Sequence, residues 1–81
     1  MQREERENLR RELTRLLTDA HSHLGLTPST SAFVTEFIEN YEFGLAYELI
    51  IDELRERNMP AGDATPSLKA AATIMGLENS D

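Results

Sequence analysis

A chain of 81 residues and 9.2 kDa forms one small domain, with no room for a second. It contains no cysteine, so disulfides, thiolate zinc sites, iron–sulfur clusters and a cysteine nucleophile are all excluded. Fifteen acidic residues against eight basic ones give a net charge of −7, the wrong sign for a protein that binds nucleic acid or an anionic membrane surface. Apolar runs such as Leu49–Ile51 are too short to cross a bilayer, and the first residues mix both charge signs, unlike a signal peptide. We therefore expect a soluble, cytoplasmic protein.

The first predicted helix covers residues 3–22. Its apolar residues recur at intervals of three and four and so form one stripe: Leu9, Leu13, Leu16, Leu17, Ala20 and Leu24. Five basic and five acidic residues make residues 1–20 neutral as a whole. Residues 1–6 offer no apolar residue beyond Met1, so we expect them to fray or project, and we expect Gly25 to end the helix.

The second predicted helix covers residues 29–40 and follows a run of hydroxyl residues around Pro28, which suits a helix N-terminus. Asn40 is expected to end it, because asparagine tolerates the left-handed conformation. The expected buried stripe is made of four residues, with Val34 and Tyr41 at its margins: Ala32, Phe33, Phe37 and Ile38.

The third predicted helix covers residues 42–58 and is apolar around most of its circumference. Such a helix is expected to be the central one, contacted by the others. Its apolar residues are Phe43, Leu45, Ala46, Tyr47, Leu49, Ile50, Ile51 and Leu54. Ile50 is expected to be fully buried.

The last predicted helix covers residues 66–75, after a loop marked by Pro60 and Gly62. Thr65 is the expected cap and Gly76 the expected end, followed by a polar tail at 77–81. No segment alternates in the manner of a strand. The predicted fold is therefore all-α: a small, single-domain, irregular four-helix bundle over residues 1–81, with a buried central third helix.

Two histidines, His21 and His23, are the first candidates for chemistry. Residues two apart on a helix point in different directions, and the sequence offers no thiol and no obvious carboxylate to complete a metal site. We interpret them as a polar helix end. No metal and no cofactor are predicted.

Three carboxylates, Glu48, Asp52 and Glu56, are spaced four residues apart and so line one exposed stripe of the third helix. Acid–base catalysis needs a desolvated carboxylate in a cleft, which an open helix face does not provide. No catalytic residues are predicted. Two interpretations stay open: a solvated surface, or an acidic contact surface for a basic partner that also includes Glu39 and Glu42.

The acidity is concentrated in the middle of the chain. Residues 21–62 contain two arginines against seven acidic residues, a net charge of −5, whereas residues 63–81 contain one lysine against three acidic residues. A patch of this kind steers a basic partner and speeds encounter. The same charge would also be found on an ordinary acidic surface.

The segment 42–54, which reads EFGLAYELIIDEL, resembles the core motif of small helical immunity proteins of the MafI type, found beside secreted polymorphic toxins in bacteria. The motif is an acidic residue, an aromatic residue, Gly-Leu-Ala-x-Glu, an apolar pair and a further leucine. With residues 37–41 the likeness covers eighteen positions. Gly44 in this motif is expected to let a neighbouring helix approach closely.

This resemblance implies a protein that neutralises a cognate toxin domain, often a nuclease, by stoichiometric binding. The implied partner is the C-terminal domain of that toxin, with a basic surface, and the partner-binding residues would be Glu39, Glu42, Glu48, Asp52 and Glu56. The alternative is a non-catalytic helical adaptor or a homodimerisation module that pairs through the leucines of the first helix.

Overall fold

The computed structural model describes residues 2–77, with the side chains of residues 2–6 outside the description. Four α-helices follow one another: α1 (Gln2–Ser22), α2 (Pro28–Glu39), α3 (Phe43–Glu56) and α4 (Thr65–Met75), with a short 3₁₀ turn (Gly62–Ala64) before α4. No strand occurs in residues 2–77, so the predicted all-α four-helix fold is confirmed. The predicted helix ends agree to within two residues.

The helices form two closely packed pairs, α1 with α4 and α2 with α3. Helix α3 contacts all three other helices and contributes five of the buried residues, more than any other helix. Ile50 is fully buried, as predicted. The leucine stripe of α1 is also confirmed at its centre, since Leu13, Leu16 and Leu17 are buried, whereas Leu9 is 47% exposed.

The buried stripe predicted for α2 is confirmed at Ile38, and in part at Phe37, but is wrong at Ala32 and Phe33. Val34, expected at the margin, is completely buried together with Ile38, whereas Phe33 is 54% exposed and Ala32 is also exposed. The pairs Phe33–Phe37 and Val34–Ile38 have the same four-residue spacing, so periodicity alone could not rank them. The smaller Val34 side chain occupies the core position of α2.

At three predicted helix ends the bounds agree with the structure, but the capping details differ. Helix α1 ends at Ser22, and Gly25 does not adopt a positive φ. Asn40 ends α2 with φ −96°, and the left-handed residue is Tyr41, with φ 61°. Thr65 lies inside α4 and caps nothing; the preceding 3₁₀ turn leads into the helix instead. Gly76 does end α4 in the left-handed conformation, as expected.

Gly44 does not serve a close helix–helix approach. A methyl group placed on Gly44 would meet nothing within 4 Å. The small residue that α3 does need is Ala46, which is completely buried. Among the helices of the described residues, none is long and apolar enough to cross a membrane. The predicted polar tail lies outside the described residues beyond Leu77, and fraying at residues 1–6 stays a prediction.

Candidate partner-binding surface

The acidic stripe of α3 lies in the open, as the sequence predicted. Glu48, Asp52 and Glu56 are all exposed and follow one another at four-residue intervals along the helix. Within residues 2–77, none of the three carboxylates takes part in an ion pair or a side-chain hydrogen bond. The three side chains are therefore exposed charges that have no ionic or hydrogen-bonding partner in the described part of the chain.

The two remaining predicted contact residues lie apart from this stripe. Glu42 occupies the position before α3, where it is exposed and makes no side-chain capping bond. Glu39 lies at the end of α2 and lines a groove between α1 and α2 instead. The structure thus brings Glu48, Asp52 and Glu56 together but separates Glu39 from them.

The groove between α1 and α2 has a different electrostatic character. It has a volume of about 890 Å³, and its lining includes Arg10, Arg11 and Arg15 as well as Glu39. The Arg10 guanidinium lies 4.6 Å from the centre of the Tyr41 ring, a cation–π contact. Three arginines of α1 therefore line this groove, together with the carboxylates of Glu7 and Glu39.

Glu53 is the one charged residue that the described part of the chain buries, and its carboxylate joins the start of α2 to the end of α3. The backbone N–H of Thr27 donates to Oε2 at 2.8 Å, and the Thr27 hydroxyl donates to Oε1 at 3.1 Å. Arg57 Nη1 also donates to Oε2 at 2.8 Å, and the same nitrogen donates to the carbonyl oxygen of Gly25 at 2.8 Å. Each of the three hydrogen bonds donated to Glu53 stabilises the ionised form of its carboxylate.

These contacts change the acidity of Glu53. Hydrogen bonds from the side chain of Thr30, the backbone of Thr27 and the side chains of Arg57 and Thr27 lower the pKa of Glu53 to about 2, although burial acts in the opposite direction. A perturbed pKa marks a functional site only when a cleft accompanies it. Here the carboxylate is already satisfied by protein donors, so Glu53 is a structural clamp between α2 and α3.

The two histidines point to different neighbours. His21 Nε2 lies 2.6 Å from the Ser31 hydroxyl and thereby connects α1 to α2, whereas His23 Nε2 lies 3.6 Å from an Asp19 carboxylate oxygen on the exposed end of α1. In the described residues, no three histidine or carboxylate side chains are grouped so that they could hold a metal ion.

Sequence reasoning missed two large apolar side chains that reach the surface beside the acidic stripe. Phe33 is 54% exposed and Leu45 is 48% exposed. Both had been predicted to belong to the core. A signal was present in the third helix, because an apolar arc too wide for one packing face must leave some of its residues outside.

Comparisons of the chain with known family models, with curated proteins and with solved structures find no match.

Proposed function

We propose that this protein is an immunity protein of the MafI type, which binds a secreted bacterial toxin domain in the cytoplasm of the producing cell and neutralises it. The observation that carries the proposal is the α3 stripe of Glu48, Asp52 and Glu56, three exposed carboxylates without a partner among the described residues. The resemblance of residues 42–54 to the immunity-protein motif supports the same function.

Charge gives the physical basis of the inhibition. A domain that cleaves nucleic acid needs cationic side chains around its substrate phosphates. A helix that presents three carboxylates along about 12 Å, at 1.5 Å per residue, offers such a domain a competing set of negative charges. Inhibition then requires no reaction on the inhibitor. The toxin is blocked because the acidic helix occupies its phosphate-binding surface or a neighbouring site.

The alternative function, homodimerisation through α1, has less support. Leu13, Leu16 and Leu17 would have to form the seam between two copies, but all three are buried in the core of the domain itself. Of the predicted stripe, Leu9 is the residue that stays open, at 47% exposure. One leucine does not make a coiled-coil seam, which needs apolar residues in repeated heptads.

The test is calorimetric titration of the 81-residue protein with the C-terminal domain of the secreted toxin encoded by the neighbouring gene. We expect a stoichiometric complex whose affinity falls as salt rises, because salt screens the attraction between exposed charges and leaves little of it beyond about 10 Å at 0.1 M ionic strength. The double variant Glu48→Lys with Asp52→Lys should associate more slowly and lose affinity by about 2–5 kcal/mol where a charge pair is desolvated. The free energy of unfolding of this variant, obtained from its melting curve, should change by less than about 1 kcal/mol.

A matched pair of single variants separates local contacts from total charge. Asp52→Lys and Asp63→Lys change the net charge equally, but Asp63 is exposed in the 3₁₀ turn rather than on the stripe. We expect only Asp52→Lys to weaken the complex strongly. Equal effects would mean that overall charge alone drives association, and an absence of binding by the unmodified protein would refute the proposed function.

A further inference from the structure

The outer side of the α2–α3 hairpin carries partly exposed apolar side chains on both helices. The two helices are antiparallel, because residues 40–42 join them and Thr27, just before α2, binds Glu53 near the end of α3. On α2, Ser31 faces α1 through His21. Thr30 lies toward α3 instead, because it is hydrogen-bonded to Thr27, whose backbone and side chain donate to Glu53. The side of α2 that carries Thr30 therefore lies toward α3.

Helical spacing places two aromatic rings on that side. Phe37 lies seven residues after Thr30, which is two turns of the helix, so both occupy the side of α2 that faces α3. Phe33 lies one turn before Phe37, and the two rings are stacked with centroids 6.4 Å apart. Phe37 is half-buried against the core, whereas more than half of Phe33 is open to solvent.

The same reasoning places two leucines on the opposite wall. On α3, Ala46 and Glu53 are seven residues apart and both face α2. Leu49 lies between them and is partly buried, and Leu45 lies one turn before Leu49 and is 48% exposed. In the antiparallel hairpin, Phe33 is thus level with Leu49 and Phe37 with Leu45. We name these four residues the furrow: Phe33, Phe37, Leu45 and Leu49.

Acidic side chains flank the furrow on both helices. Glu36 lies on α2 beside Phe33, and Glu48, Asp52 and Glu56 lie on α3 beyond the leucines, all of them exposed. A centre of partly open aromatic and aliphatic side chains inside a charged rim is the anatomy of a protein–protein interface. The acidic rim selects the occupant, because it attracts cations and repels other acidic surfaces.

We propose that the furrow receives a basic amphipathic segment of the partner, with an apolar side chain seated against Phe33 and Leu45 and flanking lysines or arginines against the acidic rim. This inference rests on the proposed function for the identity of the partner but not for the chemistry of the site. A second copy of this chain is disfavoured as the occupant, because a two-fold pairing through the furrow would bring the acidic rims of both copies together.

The first experiment needs no toxin. The probe is a synthetic 14-residue amphipathic helix of leucine and lysine, and its control carries serine at each leucine position. Titration of the isotopically labelled 81-residue protein should shift the amide NMR signals of the furrow and its rim. The leucine-free peptide should bind at least about tenfold more weakly, because it lacks the apolar anchor.

A matched pair of variants locates the anchor. Phe33→Ala should weaken binding of the peptide about tenfold, whereas Leu9→Ala should leave the affinity unchanged. Leu9 is an apolar residue on α1 with an exposure of 47%, similar to the 54% of Phe33. Equal affinities of the two variants, equal binding of both peptides, or shifts confined to the α1–α2 groove would each overturn the proposal. Sedimentation that finds a dimer of the unmodified protein, dissolved by Phe33→Ala, would overturn the choice of occupant.

The toxin domain then separates this inference from the proposed function. If it binds the unmodified protein and loses affinity with both Phe33→Ala and Asp52→Lys, both proposals stand. If only Asp52→Lys weakens it, the furrow is refuted and the proposed function survives. If the toxin domain does not bind at all, the proposed function fails, and the peptide titration decides the furrow alone.

Discussion

Replacing Glu53 by glutamine tests how α2 and α3 are held together. The change keeps the shape of the side chain but removes the charge that accepts from Thr27 at 2.8 and 3.1 Å and from Arg57 at 2.8 Å. Hydrogen bonds to a charged group contribute about 1.5–3 kcal/mol each, and they are not additive. Arg57 is 42% exposed and can be hydrated after the change, so we expect a net loss of about 2–3 kcal/mol. That is a large part of the stability of so small a domain.

The stabilisation provided by the Glu53 carboxylate should depend on pH in a defined direction. The pKa of Glu53 is lowered from 4.5 to about 2 in the folded protein. A carboxyl group whose folded pKa is depressed stabilises the native state fully above its unfolded pKa and loses that contribution as pH falls through the folded value. The difference in stability between the unmodified protein and Glu53→Gln should therefore be constant near neutral pH and shrink between 4.5 and about 2.

The assay is urea unfolding followed by helical circular dichroism at several pH values. Glu56→Gln is the matched control, because Glu56 lies one turn further on the same helix, is exposed and has no partner in the described residues. It should change the free energy of unfolding by less than about 0.5 kcal/mol. A Glu53→Gln variant as stable as the unmodified protein at neutral pH, or a difference that stays constant down to pH 2, would refute the clamp.

Three further predictions concern single positions. Ile50→Ala should cost about 2–5 kcal/mol because Ile50 is completely buried, whereas Leu45→Ala should cost much less, and chemical denaturation measures both. Gly44→Ala should raise the free energy of unfolding by up to about 1 kcal/mol, and with it the melting temperature, since the added methyl group meets nothing within 4 Å. A lower free energy of unfolding would instead support a close approach of another helix at Gly44. Asn58 has φ 53°, so Asn58→Ala should lower stability by about 1 kcal/mol while Asn58→Gly should not, a contrast that thermal unfolding resolves.

The sequence predicted the helices well because each has a local signal. Pro28 and Gly76 mark helix ends through their own backbone preferences, and the leucine spacing of α1 is periodic over several turns. The acidic stripe was equally accessible, since residues four apart on an isolated helix already share a face. These features can be predicted without knowing which helices pack against each other.

The errors arose where tertiary contacts decide. Phe33 and Val34 are adjacent in sequence, and only the positions of α1 and α3 determine which of them is buried. The buried carboxylate of Glu53 was also not foreseen, because its partner Thr27 is 26 residues away. Tyr41 takes the left-handed conformation that was expected at Asn40. The turn between α2 and α3 imposes this backbone conformation on a bulky residue that rarely adopts it.

The two sides of helix α3 lie in different environments. Its inward side holds Ile50 and Ala46 in the core, and Glu53 fixes α2 against it at one end of the hairpin while residues 40–42 fix the other. Its outward side carries the acidic stripe, where substitutions cost little because the side chains have no partner within the described residues. The outward residues can therefore change without loss of the fold, as the proposed partner-binding role requires. Glu53 differs from these outward residues, because its buried carboxylate accepts from Thr27 just before α2, and its replacement should therefore lower the stability of the hairpin.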